Sequence, residues 1–409
     1  MIKKLLVPIM LSVMLTSCAR ATEPDDLAYV VAIGIDSKGD TKNFTLQIAN
    51  PIKISGGSSE QGGEDGKDTV SAISVEADNI YQAVNVANHL YSKELNLSHT
   101  KLILISDKIA EGEGLSEFSE FLSRTEEIRP NTYISIVKGD AKKYLEEVKP
   151  TNEVNPVKYY EVIFDSAYTS FIPKSSAWEF YCYASSPERQ QVLPLSAVKE
   201  DNSKGTQNQK NKGFEDGMPE IKAGEIKTES EIKTETAGIA IFKDGKMIAS
   251  AGAKEAEIYN IVSGSYTKSE VSYPDKGSRD NEIAVMQTLA KKPVIKVDIS
   301  GEIPRIYVGL NFEADLRTVS EAYMIEADIE NFEEQTEIAI KEAVKSFLYK
   351  TSTEYKSDIV GFGSYVKRKF SSFDDFEKYD WQEKYENAEF NVEVDFKLRR
   401  SGLINRKRG

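Results

Sequence analysis

Cys18 is the residue whose chemistry the sequence states most plainly. Lys3 and Lys4 form a positive n-region, Leu5 to Met14 an apolar h-region, and Leu15-Thr16-Ser17-Cys18 a lipobox that ends on a thiol. A thiol in that position accepts a lipid during lipoprotein processing, and cleavage in front of it makes the cysteine the first residue of the exported chain. The apolar run, about 11 residues, is well short of the roughly 20 that a helix needs to cross a bilayer core. Residues 1–17 are therefore read as a signal peptide, Cys18 as the lipidation site and 18–24 as a tether, with membrane lipid as the partner of the acylated cysteine. The competing reading is an ordinary secretory signal that contains a cysteine by chance.

The remaining residues offer little for catalysis. Cys182 is the only other thiol, so the mature chain has no internal disulfide. It lies in the aromatic run Trp178-Glu179-Phe180-Tyr181-Cys182-Tyr183, which predicts a strand with a buried, structural thiol. His89 and His99 lack the HExxH or CxxC context of a zinc site, and no G-x-S-x-G elbow or P-loop is present. Gly361-Phe362-Gly363 follows a helical pattern and has no third glycine, so it reads as a helix terminus rather than a phosphate loop. No catalytic, metal or cofactor residues are assigned, and the chain is read as non-enzymatic.

Elements that would position these residues come from composition and periodicity. The 409 residues are 40% hydrophobic and 10% aromatic with a net charge of −14, enough for two or three cored domains and unsuited to nucleic acid. Arg399, Arg400, Arg406, Lys407 and Arg408 form a local basic exception, read as a solvated tail or as a contact for acidic lipid or an acidic partner. Residues 55–68 and 199–236 are polar and read as flexible, the second ending in a tandem EIKTE at 225–229 and 231–235. Runs from Tyr29 to Asp36 and from Asn43 to Asn50 predict a hairpin. A helix from Asn79 to Lys93 capped by Asp78, a strand Leu102 to Ile105, a helix around Phe118, a strand Tyr133 to Val137 and a helix Ala141 to Glu147 follow. Beyond them, Asp244-Gly245 marks a hairpin between Ala237 to Phe242 and Lys246 to Ser250. Strands at Val294 to Ile299, Arg305 to Phe312 and Ala322 to Ala327 lead to a long helix over about 333–360, and Phe390 to Leu398 alternates as a half-buried strand. The prediction is an α/β (α+β) protein with mixed or antiparallel sheets, packed helices and no closed barrel. Three domains are expected, at 25–145, 146–279 and 280–405.

Several strings together resemble one family. The lipobox, VVAIGID at 30–36, QIANP at 47–51 and HTKLILISDKIAEGEGL at 99–115 are similar to the N-terminal region of the Ger(x)C lipoproteins, the C subunits of spore germination receptors. TAGIAIFKDGKMIAS at 236–250, DIVGFGSYVKRKF at 358–370 and WQEKYENAEFNVEVDFKLRRSGLI at 381–404 extend the resemblance to the C-terminus in the same order. The chain departs from the family pattern with Ala19-Arg20-Ala21-Thr22 after the cysteine, with Ser98 before His99 and with an extra residue in AEGEGL. The resemblance implies a lipoprotein anchored to the outer face of the spore inner membrane. It also implies membrane-embedded A and B subunits as partners, and a role in receptor assembly or signal transmission. A solute-binding lipoprotein that delivers a small molecule to a transporter is the main rival; whether this chain itself contacts a small molecule is left open. An exported cell-wall hydrolase is the weaker rival.

Overall fold

In the computed structural model, which describes residues 26–50, 69–148, 155–165, 170–184, 186–199, 221–226, 231–274, 282–318 and 329–400, the predicted first hairpin forms from β1 (Leu27–Lys38) and β2 (Thr41–Ala49). β3 (Val70–Ala77) adds antiparallel to β2, and helix α1 (Ile80–Asn88) returns the chain to β4 (Glu94–Asn96), which lies parallel to the start of β1. β5 (Leu102–Ser106) and β6 (Tyr133–Lys138) extend the sheet in parallel from the other side of β1. β5, Leu-Ile-Leu-Ile-Ser, is buried along its whole length, as expected of a parallel strand covered on both faces. Between β5 and β6 run α2 (Asp107–Glu111) and α3 (Ser116–Arg124); after β6 come α4 (Ala141–Glu147), α5 (Pro156–Phe164) and α6 (Ala177–Ala184).

The same sheet continues through the middle of the sequence. β7 (Val192–Val198) pairs parallel with β6, and the hairpin β8 (Thr234–Lys243) and β9 (Lys246–Ala251) completes nine strands in the order β3-β2-β1-β5-β6-β7-β8-β9, with β4 beside β1. Residues expected in a first and a middle unit therefore share one sheet, joined by pairs such as Ile136 with Leu195.

A second, five-stranded sheet is built from β10 (Ser269–Pro274), β11 (Glu282–Leu289), β12 (Val294–Asp298), β13 (Arg305–Thr318) and β14 (Glu389–Arg400). β13 is central: it pairs antiparallel with β11 and β12 along one edge and parallel with β14 along the other. Helix α7 (Ala253–Ser263) lies in the core shared by the two sheets, where Ile258, Ile261 and Val262 meet Ile239 and Ile241 of β8 and Ile283 and Val285 of β11. The long helix α8 (Ile329–Tyr349) places Phe332, Ile340, Val344, Phe347 and Leu348 in the same core as Phe390, Val392 and Phe396 of β14. Full burial of each such side chain stabilises by about 1.5–3 kcal/mol. A π-turn (Lys350–Glu354) and three short helices, α9 (Gly363–Lys367), α10 (Phe373–Tyr379) and α11 (Trp381–Tyr385), close the chain onto β14. The fold is mixed α/β, and the sheets of the described residues form no closed barrel.

Several expectations are corrected. The aromatic run expected as a strand is helix α6: Ser176 and Glu179 form a Ser-x-x-Glu capping pair, with Glu179 N donating to Ser176 Oγ at 3.2 Å and that hydroxyl donating to Glu179 Oε2 at 2.9 Å. Helical spacing buries Ala177 and Phe180 and turns Cys182 to the exposed face, so this thiol is not buried. Asn79, rather than Asp78, caps α1; its Oδ1 accepts from Gln82 N at 3.0 Å while Gln82 Oε1 accepts from Asp78 N at 2.9 Å. The helix stops at Asn88, short of the expected Lys93. The long helix starts at Ile329 and its α-helical part ends at Tyr349. Parts of the segment 199–236 expected to be flexible are packed: Ala223 is fully buried, and Glu235 of β8 accepts from Gly224 N at 2.7 Å. Cys18, residues 55–68, Ala322 to Ala327 and the tail after Arg400 lie outside the described residues.

Candidate functional site

Three strings far apart in sequence meet where the nine-stranded sheet joins the C-terminal helices. Asp358 sits at the centre, fully buried after the π-turn. Its carboxylate accepts from Gly361 N and Gly363 N, each at 2.8 Å, and from Trp381 Nε1 at 2.7 Å. Burial holds the Asp358 carboxyl above its ordinary range, and these three donors, with the Phe362 amide, offset that only in part. A carboxylate so occupied has little capacity left to act as base or nucleophile, so its role is to hold the turn.

That turn and helix α11 grip β8 and the segment leading into β7. Gln190 N donates to Asp358 O at 2.8 Å, Ser357 Oγ donates to Phe242 O at 2.7 Å and Gln382 Nε2 donates to Pro187 O at 3.1 Å. Gln190 Oε1 accepts from Asp244 N at 2.8 Å, which ties the β8–β9 turn into the same joint. Lys367 with Glu188 at 2.9 Å and Glu386 with Lys243 and Lys356 at 3.2 and 2.8 Å rim it with ion pairs. Gly361 has φ +92, and a Cβ there would approach Arg189 Cδ to 2.9 Å. The glycine thus serves both the left-handed turn and the passage of the arginine stem.

Arg189 occupies the joint's inner side. Its Nε donates to Ile359 O at 3.2 Å, its Nη2 donates to Tyr259 Oη, and the guanidinium carbon lies 4.2 Å from the centroid of the Tyr183 ring. Burial opposes its charge, while Tyr259, Tyr183 and Asp358 favour it. Beside this guanidinium opens a cavity of about 400 Å³ between α6, β7 and α7.

The residues weighed for chemistry in the sequence do not assemble. His89 is exposed at the end of α1, where its Nδ1 lies 2.8 Å from Asn85 O. His99 is exposed and packs edge-on against Tyr29 at 4.4 Å between centroids; partial burial, then the nearby Arg129, lower its pKa. Partial burial first and Glu179 second push the Cys182 thiol up, away from a reactive thiolate. No helix among the described residues is long and apolar enough to cross a membrane. Arg189 and Asp358 were not singled out in the sequence, because a lone arginine or aspartate carries no local signature. The one available signal was that DIVGFG at 358–363 and the Trp381 string recur together in the family resemblance.

Comparison with known proteins agrees with this architecture. The model for the spore germination protein N-terminal domain matches residues 20–198, and the model for the spore germination B3/GerAC-like C-terminal domain matches 237–402. Spore germination protein KC of Bacillus subtilis is 23% identical over 423 aligned positions, covering 99% of this chain and 98% of that protein. Spore germination protein GerQC of Bacillus cereus is 21% identical, covering 98% and 99% of the two chains. The crystal structure of the GerBC protein matches with a TM-score of 0.51 at 17% identity, over 90% of this chain and 96% of that one, which shows a shared fold. Fold and matches together define a spore germination protein of mixed α/β architecture. The chain belongs to the Ger(x)C family, that of the germinant receptor C subunits.

Proposed function

We propose that this chain is the non-enzymatic C subunit of a nutrient germinant receptor, anchored through a lipid on Cys18 to the outer face of the spore inner membrane, where it assembles with membrane-embedded A and B subunits. The observation that carries the reading is the colinear match of both family models, to 20–198 and 237–402, behind a lipobox at Cys18. A tether raises the local concentration of a soluble body at membrane partners, to the mM range for short flexible links, and two acyl chains on one cysteine supply the two anchoring signals that stable attachment needs. The joint around Asp358 supports a role in transmission: it couples the nine-stranded sheet to the helices that cover the second sheet, so displacement of one is resisted by the other.

The test is nutrient-triggered germination of spores lacking this chain, complemented with wild type or with Cys18→Ala, and with calcium dipicolinate as a trigger that bypasses receptors. The expected outcome is loss of the nutrient response alone, restored by wild type and poorly by Cys18→Ala. Full complementation by Cys18→Ala would remove the lipid anchor from the reading, and an unchanged response in the deletion would remove the receptor role.

A further inference from the structure

Arg189 is a half-buried cation with no carboxylate partner among the described residues. Among the described residues no carboxylate lies within ion-pair distance of it: Asp358 commits its oxygens to Gly361, Gly363 and Trp381, and Glu188 pairs with Lys367. Two of its nitrogens are held by Ile359 O and Tyr259 Oη, and its face by the Tyr183 ring. Its remaining nitrogen, Nη1, has no partner among the described residues, in a side chain that lines the cavity. A charge drawn partly out of water gains from an anionic partner, because its removal from water is costly. Gln191, 4% exposed, lines the same cavity, and its Oε1 is buried without a partner. A rotation of that amide offers the ligand either an acceptor or a donor. Tyr183 and Tyr259 form walls, and Ser263 and Ser265, whose hydroxyls lie 2.6 Å apart, stand on the lining. The one acid on the lining, Glu179, faces Lys174 at 3.7 Å, which offsets its charge.

We propose that this cavity is a binding site for a small organic carboxylate, held by the Arg189 guanidinium and by a second hydrogen bond to Gln191. The cavity, about 400 Å³, lies at the small end of the range of roughly 300–1,000 Å³ usual for ligand sites, which suits a small organic molecule. With Nε and Nη2 already held, Nη1 is left to donate to a carboxylate oxygen, and such a charge-assisted hydrogen bond is stronger than a neutral one. This site goes beyond the receptor reading. An occupant would bear on Tyr259 of α7 and, through Arg189, on the turn that joins the two sheets.

The test is saturation-transfer NMR on the full chain in detergent micelles, with acetate, lactate and phenylacetate as probes and acetamide, lactamide and phenylacetamide as uncharged controls. At least one carboxylate is expected to bind with its amide at least about tenfold weaker, a difference of about 1.4 kcal/mol. Arg189→Lys, which keeps the charge but cannot hold Ile359 O, Tyr259 Oη and the ligand at once, should weaken binding at least about tenfold. Ser265→Trp should fill the cavity and abolish binding with the thermal transition retained, which separates loss of the site from loss of the fold. Absence of binding by all three carboxylates up to about 50 mM, where a Kd of several mM would already saturate, overturns the proposal. So does equal binding of acids and amides, or binding that survives Ser265→Trp. The readout is made on isolated protein, so it stands or falls independently of the germination response.

Discussion

At the scale of single residues, the cost of burying polar groups separates structure from candidate function. Asp358 is buried and fully partnered, Arg189 is half-buried without a carboxylate partner, and Glu257 on α7 is buried with both carboxylate oxygens lacking partners. Burial pushes the Glu257 carboxyl up to about 7 from an ordinary 4.5. The folded chain therefore keeps a proton that the unfolded chain releases above about 4.5, and stability falls as pH rises from there to about 7, staying low beyond it. The full change is on the order of 3 kcal/mol. Glu257→Gln is expected to raise the melting temperature at about pH 8, with the gain vanishing near pH 4; a gain of equal size at both would show that this carboxyl does not titrate in that window. None of these three roles was legible in the sequence, since each depends on what surrounds the side chain and not on its neighbours along the chain.

At the scale of elements, local chemistry was legible wherever a turn or a period closed within a few residues. Asp244-Gly245 predicted a hairpin, and both residues have positive φ, 51 and 79, as the two-residue turn requires. The turn is also a contact: Leu115 N donates to Gly245 O at 2.8 Å, and a Cβ on Gly245 would approach Ser116 Oγ to 2.9 Å. Gly245→Ala is expected to cost about 1–2 kcal/mol, read as a lower urea midpoint with an unchanged slope; an unshifted midpoint would mean that the turn relaxes freely. The α6 segment was misread because its aromatic content favours strands, while the Ser176 and Glu179 capping pair and the burial of Ala177 and Phe180 follow helical spacing. β14 was read correctly from its alternation. The structure adds that Phe396 N and Leu398 N donate to Glu337 and Glu333 of α8 at 3.0 and 2.7 Å, which blunts an open sheet edge.

At the scale of the molecule, the two family models divide the chain at 198 and 237, whereas the nine-stranded sheet crosses that division through β7 and β8. Leu193, Leu195 and Ala197 of β7 are buried beside Ala240 and Phe242 of β8. A chain ended after residue 198 would leave β7 as a bare apolar edge, an aggregation template. Such a truncation is expected to lack a cooperative unfolding transition and to elute as aggregate in size-exclusion chromatography. A monomer with a sharp thermal transition would show instead that the first family segment folds alone.

The sequence by itself determined the β1–β2 and β8–β9 hairpins, the amphipathic face of α8, the strand β14 and the family, because each is written in spacing over a few residues or in the order of short strings. Only the tertiary structure decided that β6 pairs with β7, that β8 and β9 complete the first sheet and that α7 is buried between two sheets. The physical reason is that periodicity records which face of an element is buried but not what covers it. The partner is chosen by packing between residues distant in the chain, such as Arg189 and Ile359, 170 positions apart. The cavity beside Arg189 arises from that choice and has no image in any local string.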